Sequence, residues 1–302
     1  MMSLKLGFVG IGRMGAPMAR RLLAAGLDLT VYDPNAEAVE ALVRSGAKVG
    51  GSPAAVGAAA EIVFLSLPTP DIVQAAALGQ EGIAEGGTAR IVVDLSTTGP
   101  RGAKALAAGL LERDIATVDC PVSGGVAGAE AGRLTLMAAS PQDTFAEAAP
   151  LLSHFGKVTH VGTEPGQAQL IKVINNLMSV TALAIASEGC VLAQKAGIDP
   201  AMLMQVVNSG SGRSNASEDK IPKYVLTRSF DFGFALGLSA KDVRLCLDEA
   251  EALGVPMIVG SAARQLLTVA KGELGPEGDL TALIQPIERW AGVEVAGGKG
   301  GA

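Results

Sequence analysis

The sequence is poor in the residues that bind metals and form disulfides. Its 302 residues include only two histidines, His154 and His160, and three cysteines, Cys120, Cys190 and Cys246. The histidines do not lie at metal-ligand spacing from the cysteines, and an odd number of widely spaced cysteines does not form a disulfide framework. These absences argue against a zinc site and favour a reducing compartment, which we expect to be the cytoplasm.

The chain also lacks an excess of positive charge. Its net charge is −6 and its pI is near 5.1, so binding to nucleic acid or to an anionic membrane is not expected. The N-terminus has no apolar segment followed by a cleavage site, and no secretion signal is expected. The most apolar region, 170–196, is interrupted by Lys172, Asn175, Asn176 and Glu188, which would be costly in lipid. A globular protein that acts on small molecules is the better expectation.

The first half of the chain alternates short apolar runs with alanine-rich segments, as in a parallel sheet covered by helices. After about residue 165 helical periodicity takes over, in segments 167–196, 200–209, 240–253 and 256–272. The fold class is therefore predicted to be α/β, with an N-terminal doubly wound parallel sheet and an all-α C-terminal domain joined by a long helix. Six strands are predicted, starting at Leu4, Leu29, Ile62, Ile91, Ala116 and Thr135.

The run GFVGIGRMGAPMA follows the first predicted strand and opens a helix. Its glycines have the spacing G-x-G-x-x-G, in which the first permits a tight turn, the second lets the backbone approach a pyrophosphate and the third allows close packing of helix on strand. The helix N-terminus then offers free N–H groups to the phosphates. The residues predicted to bind a dinucleotide here are Gly10, Ile11, Gly12, Arg13, Met14 and Gly15.

The second predicted strand ends in Asp33, where an acidic side chain binds the adenosine ribose hydroxyls. Its carboxylate would repel a 2′-phosphate, and Pro34, Asn35 and Ala36 supply no arginine or lysine to bind one. We therefore expect NAD as the cofactor, with NADP less favoured. Four further residues stand at strand ends, where ligands bind in open α/β sheets, and are predicted to line the cofactor: Leu67, Pro68, Ser96 and Thr97.

The run GQAQLIKVINN places Lys172 in an otherwise apolar helix. Gln169, Lys172 and Asn176 share one face because they are spaced by three and four residues. Many lysines in such positions snorkel to a surface, but a buried lysine is costly unless its charge is paired or its proton is used. In hydride transfer to a carbonyl, Lys172 is predicted to exchange a proton with the substrate oxygen, and Asn176 to hold that oxygen or a neighbouring hydroxyl.

The run DCPVSGGVAGAEAG follows the fifth predicted strand and exposes Ser123, Gly124 and Gly125. Adjacent N–H groups in a glycine turn, beside a serine hydroxyl, form a small anion site suited to a carboxylate. Taken alone, the same residues are equally consistent with a sharp loop. Together with the other two motifs they predict a small substrate that carries a carboxylate.

These three motifs, in this order, resemble those of the β-hydroxyacid dehydrogenase family, and the resemblance spans nearly the whole chain. It implies a Rossmann domain over residues 1–164, an all-helical substrate and oligomerisation domain over 165–296, and a flexible tail over 297–302. It also implies a homodimer or homotetramer. The same resemblance implies that Lys172 is the catalytic lysine, that Ser123, Gly124, Gly125 and Asn176 bind substrate, and that Lys241, in the run AKDVRL, approaches the nicotinamide end of the cofactor.

The expected reaction is the NAD-dependent interconversion of a small β-hydroxy acid and its semialdehyde, as in 3-hydroxyisobutyrate dehydrogenase. The alternatives are an NADP-dependent reductase, such as tartronate semialdehyde reductase, and a non-catalytic dinucleotide-binding sensor. The related 6-phosphogluconate dehydrogenases carry a glutamate where this chain has Ser179, which argues against their decarboxylation. In the loop SGSGRSNASEDK, Arg213 or Lys220 either meets a second anionic group on the substrate or belongs to a solvated turn.

Overall fold

The structure is a computed structural model and describes residues 4–297. Of the predicted tail, 297–302, only Gly297 lies within this range. The described residues form two compact units, one ending at Lys172 and the other starting at Val173. The boundary expected from the sequence, between residues 164 and 165, stands just ahead of the long helix that runs from the first unit into the second.

The first unit alternates strands and helices, as the sequence pattern predicts. All six predicted strands form, and three more that were not predicted accompany them. The strands are β1 (Lys5–Val9), β2 (Asp28–Tyr32), β3 (Lys48–Val49), β4 (Ile62–Leu65), β5 (Ile91–Asp94), β6 (Ala116–Asp119), β7 (Val122–Ser123), β8 (Leu134–Ala139) and β9 (Gly156–Gly162). The helices are α1 (Gly15–Ala24), α2 (Ala36–Val43), α3 (Pro53–Ala59), α4 (Pro70–Leu78), α5 (Gly99–Leu111), α6 (Gly125–Ala131), α7 (Gln142–Leu152) and the start of α8 (Gln167–Lys195), with a 3₁₀ turn at Ile83–Gly86.

The strands form one nine-stranded sheet in the order β3-β2-β1-β4-β5-β6-β8-β7, with β9 paired to β8. The first six are parallel, whereas β8 runs antiparallel to β6 and β7 and parallel to β9. The order reverses between β1 and β4, the place where open α/β sheets bind ligands at the carboxyl ends of their strands. This confirms the predicted doubly wound sheet.

Both faces of the sheet are buried, because successive strand residues point to opposite sides. On one face Phe8 stacks on Phe64 with ring centroids 5.8 Å apart, and Phe64 meets the edge of Phe155 at 5.6 Å. On the other face Val63 packs in a separate cluster with Val56 of α3. Continuous burial on both faces explains why the strands read as uninterrupted apolar runs in the sequence.

Several helices begin at a side chain that accepts a hydrogen bond from a free N–H group of the first turn. Ser52 caps α3 and Thr69 caps α4, and each is followed by a proline in the first turn. Such caps satisfy backbone donors that the helix itself leaves without partners. Helix α1 follows Met14 and begins with no side-chain cap, and in its first turn the N–H of Ala16 donates to the carbonyl oxygen of Gly12 at 2.9 Å.

The second unit is helical over its described residues. The four helices predicted from periodicity form, but the segment 216–225 and the last two helical segments were not predicted. Beyond α8 the elements are α9 (Pro200–Ser209), a π-helical segment (Ala216–Val225), α10 (Leu236–Ala252), α11 (Ile258–Leu274), a 3₁₀ turn (Leu280–Leu283) and α12 (Ile284–Ala291).

Helix α8 is long and apolar enough, by length and composition, to cross a bilayer. It nevertheless buries Gln169, Lys172 and Ser187 within the protein, and polar groups of this kind are costly in lipid. We therefore interpret α8 as a core helix.

Candidate active site

In the glycine turn after β1, two of the three glycines have no room for a side chain and the third faces open space. Gly10 has a φ of 89°, and a Cβ there would lie 2.4 Å from the carbonyl oxygen of Ser66. A Cβ on Gly15 would lie 1.9 Å from the carbonyl oxygen of Gly10, whereas a Cβ on Gly12 would meet nothing within 4 Å. The turn therefore requires glycine at Gly10 and Gly15 for the fold, and leaves open space beside Gly12, as close approach of a pyrophosphate would require.

Asp33 follows β2, and backbone N–H groups hold its carboxylate beside the glycine turn, which we call the dinucleotide cradle. Its Oδ2 accepts a hydrogen bond from the N–H of Ile11 at 2.8 Å, and its Oδ1 accepts one from the N–H of Asn35 at 2.9 Å. Each carboxylate oxygen can accept a second hydrogen bond. The carboxylate is thus fixed beside the glycine turn and can still bind ribose hydroxyls.

The carboxyl ends of β4 and β5 are tied together by Ser96. Its hydroxyl accepts a hydrogen bond from the N–H of Leu67 at 2.9 Å, and its own N–H donates to buried Asp94 at 2.9 Å. Pro68 is exposed and Thr97 is partly exposed at the same edge. The strand-end residues named from the sequence therefore meet along the edge that holds the glycine turn.

The side chain of Gln169, in the first turn of α8, is fully buried and uses every hydrogen-bonding position of its amide. Its Oε1 accepts from the N–H groups of Thr98 at 2.9 Å and Gly99 at 3.1 Å, which begin α5. Its Nε2 donates to the carbonyl oxygen of Ser96 at 3.0 Å and to Oδ1 of Asp119 at 2.9 Å. One amide therefore joins the ends of β5 and β6 to the start of α5.

Asp119, the last residue of β6, completes this network by capping α8. Its Oδ2 accepts from the N–H groups of Gly166 at 2.9 Å and Gln169 at 3.3 Å. Burial raises the pKa of Asp119 to about 6, an effect opposed chiefly by the hydrogen bond from Gln169. At pH 7 the group is mostly ionised and accepts hydrogen bonds from the helix N-terminus, where a negative charge is favourable.

Lys172 lies one turn beyond Gln169 on α8 and is only 8% exposed. Its position in the first unit is fixed by the Gln169 and Asp119 hydrogen bonds at the start of the same helix. The predicted catalytic lysine is therefore buried and belongs to an element that is anchored directly to the strand ends.

The serine-glycine turn joins β7 to α6. Ser123 ends β7 and pairs with Thr135 of β8, while Gly124 and Gly125 have φ values of 131° and 65°. Both values lie in the region that favours glycine. Gly124 and Gly125 are exposed, and α6 starts with no side-chain cap.

In the second unit Asn176 belongs to a polar cluster with the Lys-Asp pair of α10. Its Nδ2 donates to Oδ2 of buried Asp242 at 2.6 Å, and Oδ1 of Asp242 lies 3.0 Å from Nζ of Lys241. A carboxylate can only accept hydrogen bonds, so Asp242 fixes which end of the amide points toward it. The sequence prediction included Asn176 and Lys241 but missed Asp242, although it directly follows Lys241.

Comparison with known proteins covers both units. Residues 5–162 match the family model described as the NAD binding domain of 6-phosphogluconate dehydrogenase. Residues 166–287 match the model described as the NAD-binding domain of NADP-dependent 3-hydroxyisobutyrate dehydrogenase. The chain belongs to the β-hydroxyacid dehydrogenase family.

Individual members of the β-hydroxyacid dehydrogenase family match over nearly their whole length. The chain is 36% identical to 2-(hydroxymethyl)glutarate dehydrogenase from Eubacterium barkeri, over 98% of this chain and 99% of that protein. It is 33% identical to 3-hydroxyisobutyrate dehydrogenase from Pseudomonas aeruginosa, over 94% and 98%. The solved structure of Mycobacterium tuberculosis 3-hydroxyisobutyrate dehydrogenase with L-serine has a TM-score of 0.84 at 29% identity, over 95% of this chain and 99% of that one.

Several structurally important residues of this β-hydroxyacid dehydrogenase family member were not named as site residues from the sequence. Asp94 and Asp119 end adjacent strands, and Gln169 shares a helix face with Lys172. The only features of the sequence that could have identified them are the strand-end positions of the two aspartates and the helix face that Gln169 shares with Lys172. Their hydrogen bonds join segments far apart in the chain, so no local pattern predicts the bonding.

The open position in the glycine turn gives a direct test of cofactor binding. We expect Gly12→Ala to leave the melting temperature near the wild-type value, because the added methyl group meets no protein atom, and to weaken NADH binding by about tenfold or more, because that group enters the pyrophosphate space. Gly10→Ala is the matched control and should lower stability through overlap with Ser66. Thermal melts and NADH fluorescence titrations decide the point, and unchanged NADH affinity in Gly12→Ala would refute the assignment.

The Gln169 network predicts a large effect on stability. Gln169→Leu keeps a similar volume but leaves the N–H groups of Thr98 and Gly99 without their acceptor, so we expect a loss on the order of 3 kcal/mol or more in the free energy of unfolding. Exposed Gln167, two residues earlier, provides the control Gln167→Leu, for which we expect a change below about 1 kcal/mol. Denaturant unfolding measures both, and equal stabilities would contradict the role of Gln169.

Proposed function

We propose that the chain is an NAD-dependent dehydrogenase that interconverts a small β-hydroxy acid and its semialdehyde. The observation that carries this proposal is the buried Lys172, anchored through Gln169 to the strand ends beside the dinucleotide cradle. A sensor would need only the cradle. A lysine held in this position has a use in proton transfer, which favours an enzyme.

The chain's own residues offer the features that a dinucleotide requires. The space at Gly12, the uncapped first turn of α1 and the fixed carboxylate of Asp33 correspond to its phosphates and adenosine ribose. Leu67, Pro68, Ser96, Thr97 and, from the second unit, Lys241 complete the proposed cofactor contacts, with Ile11, Arg13 and Met14 in the turn itself. When bound, the nicotinamide takes up or supplies the hydride.

Preference for NAD over NADP is proposed on electrostatic grounds. Asp33 presents a carboxylate where NADP would carry a 2′-phosphate, and the following residues Pro34, Asn35 and Ala36 provide no positive charge. The NADP-dependent reductase remains the second candidate, supported by the description of the model that matches residues 166–287.

Lys172 is proposed as the general acid and base. In reduction its ammonium group donates a proton to the carbonyl oxygen as negative charge develops there, and in oxidation its neutral amine removes the proton of the hydroxyl group. Asn176, one turn further on the same helix, is oriented by Asp242 and is proposed to hold the reacting oxygen or a neighbouring hydroxyl. Orientation of this kind lowers the barrier by removing unproductive arrangements.

Ser123, Gly124 and Gly125 are proposed to bind the substrate carboxylate. Their backbone N–H groups and the serine hydroxyl are all donors, as an anion requires. The relatives named above act, by their names, on acids with a hydroxymethyl group beside a carboxylate. An acid of this kind, with a hydroxymethyl group beside one carboxylate, therefore suits the serine-glycine turn.

The proposed reaction is tested by substitution of the lysine. Lys172→Ala should lower kcat by roughly 10²–10⁴-fold, because proton transfer is lost, while NADH affinity stays near wild type. The measurement is NAD(H)-linked absorbance with β-hydroxy acids and their semialdehydes in both directions, with NAD and NADP side by side. Turnover should be faster with NAD.

The exposed lysine Lys157 provides a matched control, since Lys157→Ala should retain wild-type activity. Wild-type turnover in Lys172→Ala would exclude its role as the acid and base. Wild-type protein that binds NADH but converts none of these acids or aldehydes would instead support the sensor alternative.

Self-association is proposed through α8. Met178, Ile185 and Leu192 are exposed and seven residues apart, so they form an apolar stripe along one side of the helix in the second unit. A second copy of the chain is the proposed partner, in a homodimer or homotetramer.

We also infer a cytoplasmic location, since the three cysteines are free. Recovery of the protein from an oxidising compartment would contradict this.

The stripe gives a test of assembly. Ile185→Glu with Leu192→Glu should convert the oligomer to monomer, because charges would be buried in an apolar interface. Leu111→Glu, at an exposed leucine in the first unit, is the control and should leave the mass unchanged. Light scattering coupled to size exclusion reports the mass, and a monomeric wild type would refute the proposal.

A further inference from the structure

A second buried lysine lies in the second unit, outside the residues assigned above. Lys220, in the π-helical segment, is 2% exposed. Its Nζ donates a hydrogen bond to Oγ of Ser179 on α8 at 2.6 Å and stands 5.3 Å from the ring centroid of Phe232. Among the described residues, these contacts of the ammonium group are with a hydroxyl and an aromatic ring, both neutral.

Asp219, the acid that acts on the charge of Lys220, is paired with another cation. Asp219 lies 2.5 Å from exposed Lys223. Burial lowers the pKa of Lys220 to about 8, with Asp219 acting in the opposite direction, so the group is mostly protonated at pH 7. Burial of a cation with neutral partners costs free energy, and that cost is offset if the cation meets an anionic ligand.

Ser179 can contact both Lys220 and a ligand. Its oxygen accepts the hydrogen bond from Lys220, so its own hydroxyl hydrogen can be donated elsewhere, and Ser179 is partly exposed. Ser179 also lies on the same side of α8 as Lys172 and Asn176, because these positions are spaced by four and three residues. The axial distance from Lys172 to Ser179 along the helix is about 10 Å.

We propose that Ser179 and Lys220 form a subsite for a second anionic group of the substrate. The hydroxyl of Ser179 donates to that anion, and Lys220 is a positioning residue that orients the hydroxyl and supplies the opposite charge. The favoured substrates are then small diacids, whose second carboxylate binds at Ser179. This inference rests on the proposed function and adds the substrate class.

Arg213, the other cation of the same loop region, does not share these features. It is exposed and lies 3.7 Å from Glu218, in an ion pair of the kind that contributes little. Of the two cations left open by the sequence, Lys220 is therefore the one assigned to the second anion.

The test compares two substrates that differ only in the second acid. 2-(Hydroxymethyl)glutarate and 2-(hydroxymethyl)pentanoate have the same reacting hydroxymethyl group and the same first carboxylate. Lys220→Met should raise KM for the diacid by roughly tenfold or more, because a charge-assisted interaction is lost, with kcat and the monoacid KM changed less than about threefold. Ser179→Ala, a smaller change that serves if Lys220→Met does not fold, should show the same selective rise.

Lys223→Met, at an exposed lysine of the same segment, is the control and should match wild type on both substrates. Equal losses on diacid and monoacid in Lys220→Met and Ser179→Ala would indicate a structural role and overturn the proposal. An unchanged diacid KM, or a wild type that prefers the monoacid, would overturn it too.

A binding measurement separates this inference from the proposed reaction. Calorimetric titration of the NAD-loaded protein with glutarate, and with pentanoate as the monoacid, requires no turnover. Glutarate should bind the wild type at least about tenfold more tightly than it binds Lys220→Met. Equal glutarate affinities would overturn the subsite whether or not the enzyme turns over, whereas selective glutarate binding without turnover would support the subsite and refute the proposed reaction.

Discussion

The amide of Gln169 is the interaction on which the proposed chemistry of the first unit depends. Four hydrogen bonds from one fully buried side chain connect the ends of β5 and β6 with the start of α5, and Asp119 connects the same place to the start of α8. Strand ends and helix starts both leave backbone groups that need partners. Because these groups satisfy one another through Gln169 and Asp119, Lys172 stands in a defined place one turn away.

Helix α8 carries four polar side chains along one side, each with different contacts. Gln169 holds the helix to the sheet, Lys172 is proposed to move the proton, Asn176 is oriented by Asp242, and Ser179 meets Lys220. Residues three and four apart on a helix lie on the same face, so one helix can carry several polar side chains along one side. Other positions of the same helix, Met178, Ile185 and Leu192, are exposed and apolar.

Much of the fold could be predicted from local patterns, and the exceptions have physical causes. The apolar runs of β1, β4 and β5 identified those strands, because both sheet faces are covered. β3 and β7 contain two residues each and carry no readable period. The π-helical segment was not predicted because its wider turn does not follow the 3.6-residue period on which helix prediction relies.

The candidate site was predictable where its signal is local. The glycine turn, Asp33 and Lys172 were named from short motifs, and the structure places the first two in contact. Burial was the harder property: Lys220 read equally well as a solvated charge, since its partners Ser179 and Phe232 come from other segments. The bonding of Gln169 depends in the same way on tertiary contacts.

Asp33 also constrains how the cofactor preference of this chain can change in evolution. Its two oxygens accept hydrogen bonds from the N–H groups of Ile11 and Asn35, so the residue proposed to bind the ribose also fastens the glycine turn to the end of β2. A mutation that removes the negative charge removes these acceptors as well. A lineage that evolves a preference for NADP must therefore replace the lost hydrogen-bond acceptor in the same step or tolerate a less firmly held turn. Side chains with a neutral oxygen, such as serine or asparagine, are the accessible intermediates.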